Sequence, residues 1–196
     1  MRRGILGLAL AGTLLAQHIT DEERAAAVAR LQSSRALFLQ VITRLSDAQW
    51  DFKPAPDRWS AGECAEHIVV TEGAYWRTLT KLLAAPPSKL KAELSDAELL
   101  RLYTDRSLKR VAGEAVAPKG RFKSRADLIV QFNQTRDRIL TLARSTQLPL
   151  REYVSPAAAG GKLMDGYQWF LRIAGHSERH TDQIREVMQH SGFPKN

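Results

Sequence analysis

A chain of 196 residues with 44% hydrophobic and 26% charged content fits one globular domain with a core of its own. Its formal charge of +8 is diffuse: the lysines and arginines of the middle third are interrupted by acids and lack aromatic interleaving, so nucleic-acid binding ranks behind every other class of function. The lone Cys64 excludes an internal disulfide and reads as a small core residue, although a thiol three positions before His67 could also serve as an extra ligand or a reactive group.

Met1-Arg2-Arg3 precedes an uncharged, mostly apolar run from Gly4 to Ala16. That run is too short to span a bilayer and follows the plan of a secretory signal peptide, with cleavage expected after Ala16. Residues 1–16 are therefore expected to be a leader and 17–196 a single domain with no membrane span. The mature protein would be exported to the periplasm or the medium. If the segment instead packs on the domain, the protein is cytoplasmic.

Thr20-Asp21-Glu22-Glu23 is a capping box, and the largely apolar stripe Val28, Leu31, Arg35, Leu37, Phe38, Val41, Ile42, Leu45 predicts a helix over 21–45. Pro54 and Pro56 keep the next connection from being helical throughout. A second box, Ser60-Ala61-Gly62-Glu63, starts a helix over 60–84 that Pro86-Pro87 ends. Ser95 announces a shorter helix over 95–111, and Ser124 another over 124–146. The stretch ending Ser155-Pro156-Ala157-Ala158-Ala159-Gly160-Gly161 reads as a long mobile connection, and Asp165 caps a last helix over 166–190. No run alternates in a way that predicts a sheet. The expected architecture is all-α, a four-helix bundle with one additional short helix.

Histidine placement carries the chemistry. His176 and His180 are one turn apart and share a helix face, while His67 sits among apolar neighbours on another helix, where an unpartnered imidazole would be costly. Bundles build metal sites from facing helices, and three imidazoles leave a coordination position open for water or substrate. His18 adjoins the leader, and His190 is about 15 Å along the helix from His180, so neither belongs to the cluster.

Around that cluster, Trp169, Arg172 and Gln183 fall on the stripe of His176 and His180. Trp169 and Arg172 would be a core residue and a surface ion pair, or else a substrate wall with an anion-binding guanidinium. Gln183 would orient a ligand imidazole or make an ordinary interhelical hydrogen bond. Glu63 is explained as a cap, with a role as base the alternative. No residue is assigned as general base.

Trp59-Ser60 with Glu63 and His67, together with Gly175-His176-Ser177-Glu178-Arg179-His180-Thr181-Asp182-Gln183-Ile184, resembles the DinB/YfiT-like superfamily over essentially the whole mature chain. The resemblance implies a four-helix bundle of the up-down-down-up type, often a homodimer, with a three-histidine site for a divalent metal such as nickel or zinc. Its ligands fall on His67, His176 and His180. It also implies a small-molecule substrate, with thiol transfer among the family's activities. Export would separate the protein from cytosolic thiols and favour metal-activated hydrolysis. The contrasting expectation is a non-catalytic metal-binding or interaction bundle of the cell envelope, which a site sealed by Trp59, Trp76 or Trp169 would suit.

Overall fold

The computed structural model describes residues 18–108, 110–158 and 161–195, so the expected leader lies outside the described residues. Six helices form: α1 (Asp21–Ile42), α2 (Asp47–Asp51), α3 (Ala61–Leu83), α4 (Asp96–Thr104), α5 (Arg125–Ser145) and α6 (Gly166–Met188). Five of them open with a reciprocal capping box, on Thr20, Ser46, Ser60, Ser95 and Asp165, and α5 has the one-sided cap of Ser124. Each cap satisfies amides that the first turn would otherwise leave unpaired, a contribution of about 1 kcal/mol. Helix starts are thus specified by residues within one turn of the cap.

Two expectations need correction. The helix expected over 95–111 stops at Thr104, because the carboxylate of Asp105 takes up the amide and hydroxyl of Ser107 and offers the chain a turn in place of another helical bond. Arg179 of α6 then ties the carbonyls of Asp105 and Leu108 down. The connection after Pro149 is also more ordered than its composition suggests. It forms a 3₁₀ turn at Leu150–Glu152 and an antiparallel hairpin of β1 (Val154–Ala158) and β2 (Lys162–Asp165), with Val154 opposite Asp165 and Ser155 opposite Met164. Glu93 holds β2 from outside through two backbone bonds to Leu163, one of them accepted by its carboxylate.

Side-chain links give the helix directions. Glu23 and Arg30 of α1 meet Tyr167 and Glu178 of α6, so these helices run parallel. Arg24 and Arg35 meet Ala143 and Asp137 of α5, which is antiparallel to α1, while His67 and Tyr75 of α3 meet His176 and Trp169 of α6 in antiparallel order. The bundle is therefore up-down-down-up, with α1 and α3 each packed against both α5 and α6.

The apolar interior divides into two clusters, one around Leu31, Leu79, Ile139 and Phe170, the other around Phe38, Ile68, Phe132 and Ile184. A polar layer separates them, one residue from each long helix: Ser34, Glu72, Arg136 and Ser177. Arg136, fully buried, donates from Nε and Nη2 to the two Glu72 oxygens at 2.7 and 2.5 Å. Its remaining N–H groups go to Leu31 O at 2.6 Å, Ser34 Oγ at 2.8 Å and Ser177 Oγ at 2.9 Å. All five guanidinium donors are satisfied, the condition under which a buried ion pair is tolerated. No helix among the described residues is long and apolar enough to cross a membrane.

Candidate metal centre

His67 stands two turns into α3, and His176 and His180 sit one turn apart on α6, beside the polar layer that holds these helices in register. The sequence folds this way because α3 and α6 both bury an apolar stripe, and the histidines lie at the margin where those stripes meet. His67 and His176 are buried, at 4% and 7% exposure, and His180 is half-buried. Gly175 lets α4 approach close by: a Cβ there would lie 3.2 Å from that of Tyr103.

The rings aim inward for reasons that can be read from their other nitrogens. Nδ1 of His67 is 2.8 Å from Val116 O, and a carbonyl can only accept, so Nδ1 carries the proton and Nε2 keeps its lone pair. Nδ1 of His180 is 2.8 Å from Oε1 of Gln183, an oxygen that also receives an N–H of Arg106 at 3.4 Å. Arginine can only donate, which fixes the amide orientation and leaves Nε2 of His180 unprotonated as well. Nε2 of His67 lies 3.2 Å from Nε2 of His176, and one ligand atom from each of the three residues falls within 4.8 Å of the others. A ligand-competent imidazole is neutral, and burial keeps all three so. It lowers the pKa of His67, pushes His176 well below its ordinary value with help from His180 and His67, and brings His180 down to about 3.

Among the described residues no aspartate, glutamate or cysteine joins the group. The donor set suits a transition-series ion: three imidazoles bind zinc or nickel well, whereas magnesium or calcium would ask for oxygen. Trp59 makes one wall, its ring 4.9 Å from that of His67 and 6.2 Å from that of His180. Tyr75 makes another, edge-on to His176 at 5.4 Å.

The remaining sequence-derived candidates separate. Gln183 accepts from Nδ1 of His180, the contact expected of a residue that orients that imidazole. Trp169 is core, 2% exposed, with its ring edge-on to that of Tyr75 at 5.6 Å. Arg172 makes no ion pair with a described residue and instead packs against Tyr75, Tyr103 and Trp169. Glu63 completes the Ser60 cap and pairs with Lys53 at 2.9 Å, beside a cavity of about 420 Å³ whose lining includes none of the three histidines. Cys64 is fully buried, desolvation raises its thiol pKa, which disfavours the reactive thiolate, and it lies outside the group of clustered ligand atoms.

Glu66 is the residue that sequence reasoning missed. Its carboxylate accepts the amides of Lys119 at 2.7 Å, Gly120 at 2.8 Å and Arg121 at 3.3 Å, and the Arg121 guanidinium at 3.0 Å. Burial opposes its charged form, but those amides and that guanidinium together hold the pKa below the ordinary glutamate value. Gly120 adopts a left-handed φ of 69°, open to glycine at little cost. This knot ties the 113–121 loop to α3 and so carries Val116 O to His67. Its sequence signal is an acid directly before an inward-facing histidine.

The model of the DinB superfamily matches residues 30–184, a span that contains all three histidines. The chain is 25% identical over 145 residues to the uncharacterized protein YuaE of Bacillus subtilis (strain 168), covering 74% of this chain and 86% of that protein. Among solved structures it is similar to YfiT from Bacillus subtilis, described as a probable metal-dependent hydrolase with an unusual four-helix bundle topology. The TM-score is 0.62, with 12% identity, 91% of this chain covered and 93% of that one. At that identity the likeness concerns the fold, and the up-down-down-up bundle agrees with it. The extent of the family match, taken with the bundle, shows that this chain belongs to the DinB superfamily.

Proposed function

We propose that the protein is a hydrolase acting on a small molecule through a divalent ion held by His67, His176 and His180. The observation that carries this reading is the convergence of three neutral imidazoles within 4.8 Å, two of them with Nδ1–H held from behind. Three protein ligands are the arrangement of catalytic rather than structural sites. When bound, zinc or nickel would lower the pKa of a coordinated water towards neutrality and polarise the bond to be cleaved.

Each surrounding residue has a task in that chemistry. Val116 O and Gln183 Oε1 hold the rings in their ligand tautomers. Trp59 and Tyr75 keep bulk water off two sides, strengthening electrostatic interactions inside. The Glu72–Arg136–Ser177 layer fixes α3 against α6, and with it the separation of His67 from the other two ligands. A leader over 1–16 would export the chain away from cytosolic thiols, which supports water over a thiol as the nucleophile. The description of YfiT as a probable metal-dependent hydrolase points the same way.

The test is elemental analysis of protein purified without a histidine tag, followed by hydrolysis of a panel of activated esters and amides before and after chelation. About one ion per chain is expected, lost in His67→Ala and in His180→Ala, with hydrolysis that disappears on chelation and returns with zinc or nickel. Occupancy unchanged by either substitution would overturn the assignment.

A further inference from the structure

One helical turn before His176, α6 carries a cation, Arg172, with no acid paired to it among the described residues. The guanidinium carbon of Arg172 lies 4.3 Å from the centre of the Tyr75 ring, 4.7 Å from Trp169 and 5.1 Å from Tyr103. Among the described residues its hydrogen-bond partner is the sulfur of Met164, a weak acceptor 3.7 Å from Nη1. Nε–H of Arg172 is buried with no partner, and so is Nε1–H of Trp169 in the same box. Arg30 shares the orphaned Nε but has Glu178 at 2.6 Å, and Arg179 is held by two carbonyls; three further arginines are provided for. Arg136 has all five donors satisfied, Arg151 meets Glu23, Asp96 and Asp165, and Arg106 grips both oxygens of Glu186.

Ring faces attract a cation but offer its N–H groups no acceptor, so an orphaned guanidinium donor is a cost that an arriving anion removes. Arg172 as a whole is half-buried, unlike the core residue Trp169 beside it. Tyr75 joins this box to the histidines, since the same ring packs on Arg172 and stands edge-on to His176.

We propose that Arg172 and Trp169 form the anion-binding end of the substrate site, taking the carboxylate of a small organic acid whose reacting bond reaches the histidine cluster. The proposal rests on the hydrolytic reading above and adds the substrate class. One helical turn between Arg172 and His176 is a rise of about 6 Å, a separation that a few bonded carbon atoms span. The planar fork of a guanidinium matches the two oxygens of a carboxylate, and a single cation among apolar rings suits one negative charge better than the two of a phosphate monoester. The next cation, Arg110, is 5.4 Å from the Tyr103 ring, but it is exposed and gives an Nη2–H to Leu102 O.

Because the anion end is built from protein alone, it can be tested without metal. The full chain, stripped by a chelator, is titrated with sodium benzoate and separately with inorganic phosphate, following tryptophan fluorescence and the midpoint of thermal unfolding. Benzoate is expected to bind the wild type and His180→Ala alike, to bind Arg172→Met more weakly by about tenfold or more, and to bind more tightly than phosphate. Arg172→Lys, which keeps the charge and loses the fork, should lie between the wild type and Arg172→Met, and it carries the test if Arg172→Met does not fold. Equal benzoate affinity in wild type and the folded Arg172 variant, no response to benzoate, or tighter phosphate binding would each overturn the proposal. Failure of the metal reading would look different: normal benzoate binding by a protein that retains no ion.

Discussion

Glu72→Gln is the sharpest test of how the bundle holds its metal ligands in place. The substitution preserves side-chain volume, so no cavity forms and the effect is almost wholly electrostatic. It removes the carboxylate hydrogen-bonded to Arg136, whose Nε and Nη2 lie 2.7 and 2.5 Å from its oxygens, and places an amide N–H group against donors that cannot accept it. With Arg136 fully buried and Glu72 at 2% exposure, solvent can screen little of the loss. Leaving a buried charge unpaired costs about 3–5 kcal/mol, which for a chain of this size lowers the thermal midpoint by about 6–20 °C. Thermal unfolding of metal-free protein followed by far-ultraviolet circular dichroism measures it. The companion variant Glu72→Met/Arg136→Met removes both charges and should recover most of the loss, because well-packed apolar residues replace a buried pair at little or no cost. A drop below about 1 kcal/mol for Glu72→Gln, or a double variant no more stable than the single one, would refute the reasoning.

Gln183→Leu removes the acceptor that holds Nδ1 of His180, and metal affinity should fall by about 10–100-fold with the fold intact; competition against a chromogenic chelator reads this directly, and unchanged affinity would show that Gln183 has no share in orienting the ring. Gly62→Ala would put a methyl group 2.4 Å from Nε1 of Trp50, forcing the indole off its packing with Arg125, so a loss of about 1–3 kcal/mol is expected in urea unfolding, and wild-type stability would contradict the close approach. In metal-free protein the three imidazoles have lowered pKa values, chiefly through burial, and are neutral in both folded and unfolded states above the ordinary value of 6.5. As pH drops below 6.5 the unfolded chain takes up protons that folded His180 refuses until about 3, so the unfolding midpoint should fall through that window, less steeply in His180→Ala; equal slopes would count against the burial argument.

Helix starts were legible because a cap is a short-range device: Thr20, Ser60, Ser95, Ser124 and Asp165 all cap helices in the structure. The three histidines were legible too, since spacing along α6 and an apolar flank on α3 decide which way a side chain faces. What escaped notice depends on partners distant in the chain. Glu72 and Arg136 each look like a solvated charge until α3 and α5 are set side by side. The hairpin at 154–165 carries Pro156 and small residues with no alternating pattern, and it is held by backbone pairing and by Glu93, some 60 residues earlier. Val116 left no trace in any motif because it acts through its carbonyl. For Arg172 the sequence left a surface ion pair and an anion-binding guanidinium both open, and the ordinary behaviour of arginine favoured the first, whereas α3 and α4 surround it with rings.

The atom that steadies His67 from behind belongs to the main chain, and that has a bearing on how such a centre can diversify. Any amino acid at position 116 brings the same oxygen, provided Glu66 still collects the amides of residues 119–121. The residue at 116 can therefore change its side chain without retuning the imidazole beneath. Variation in the sequence of this loop and constancy of the ligand beneath it are thus compatible, because the tether runs through main-chain atoms.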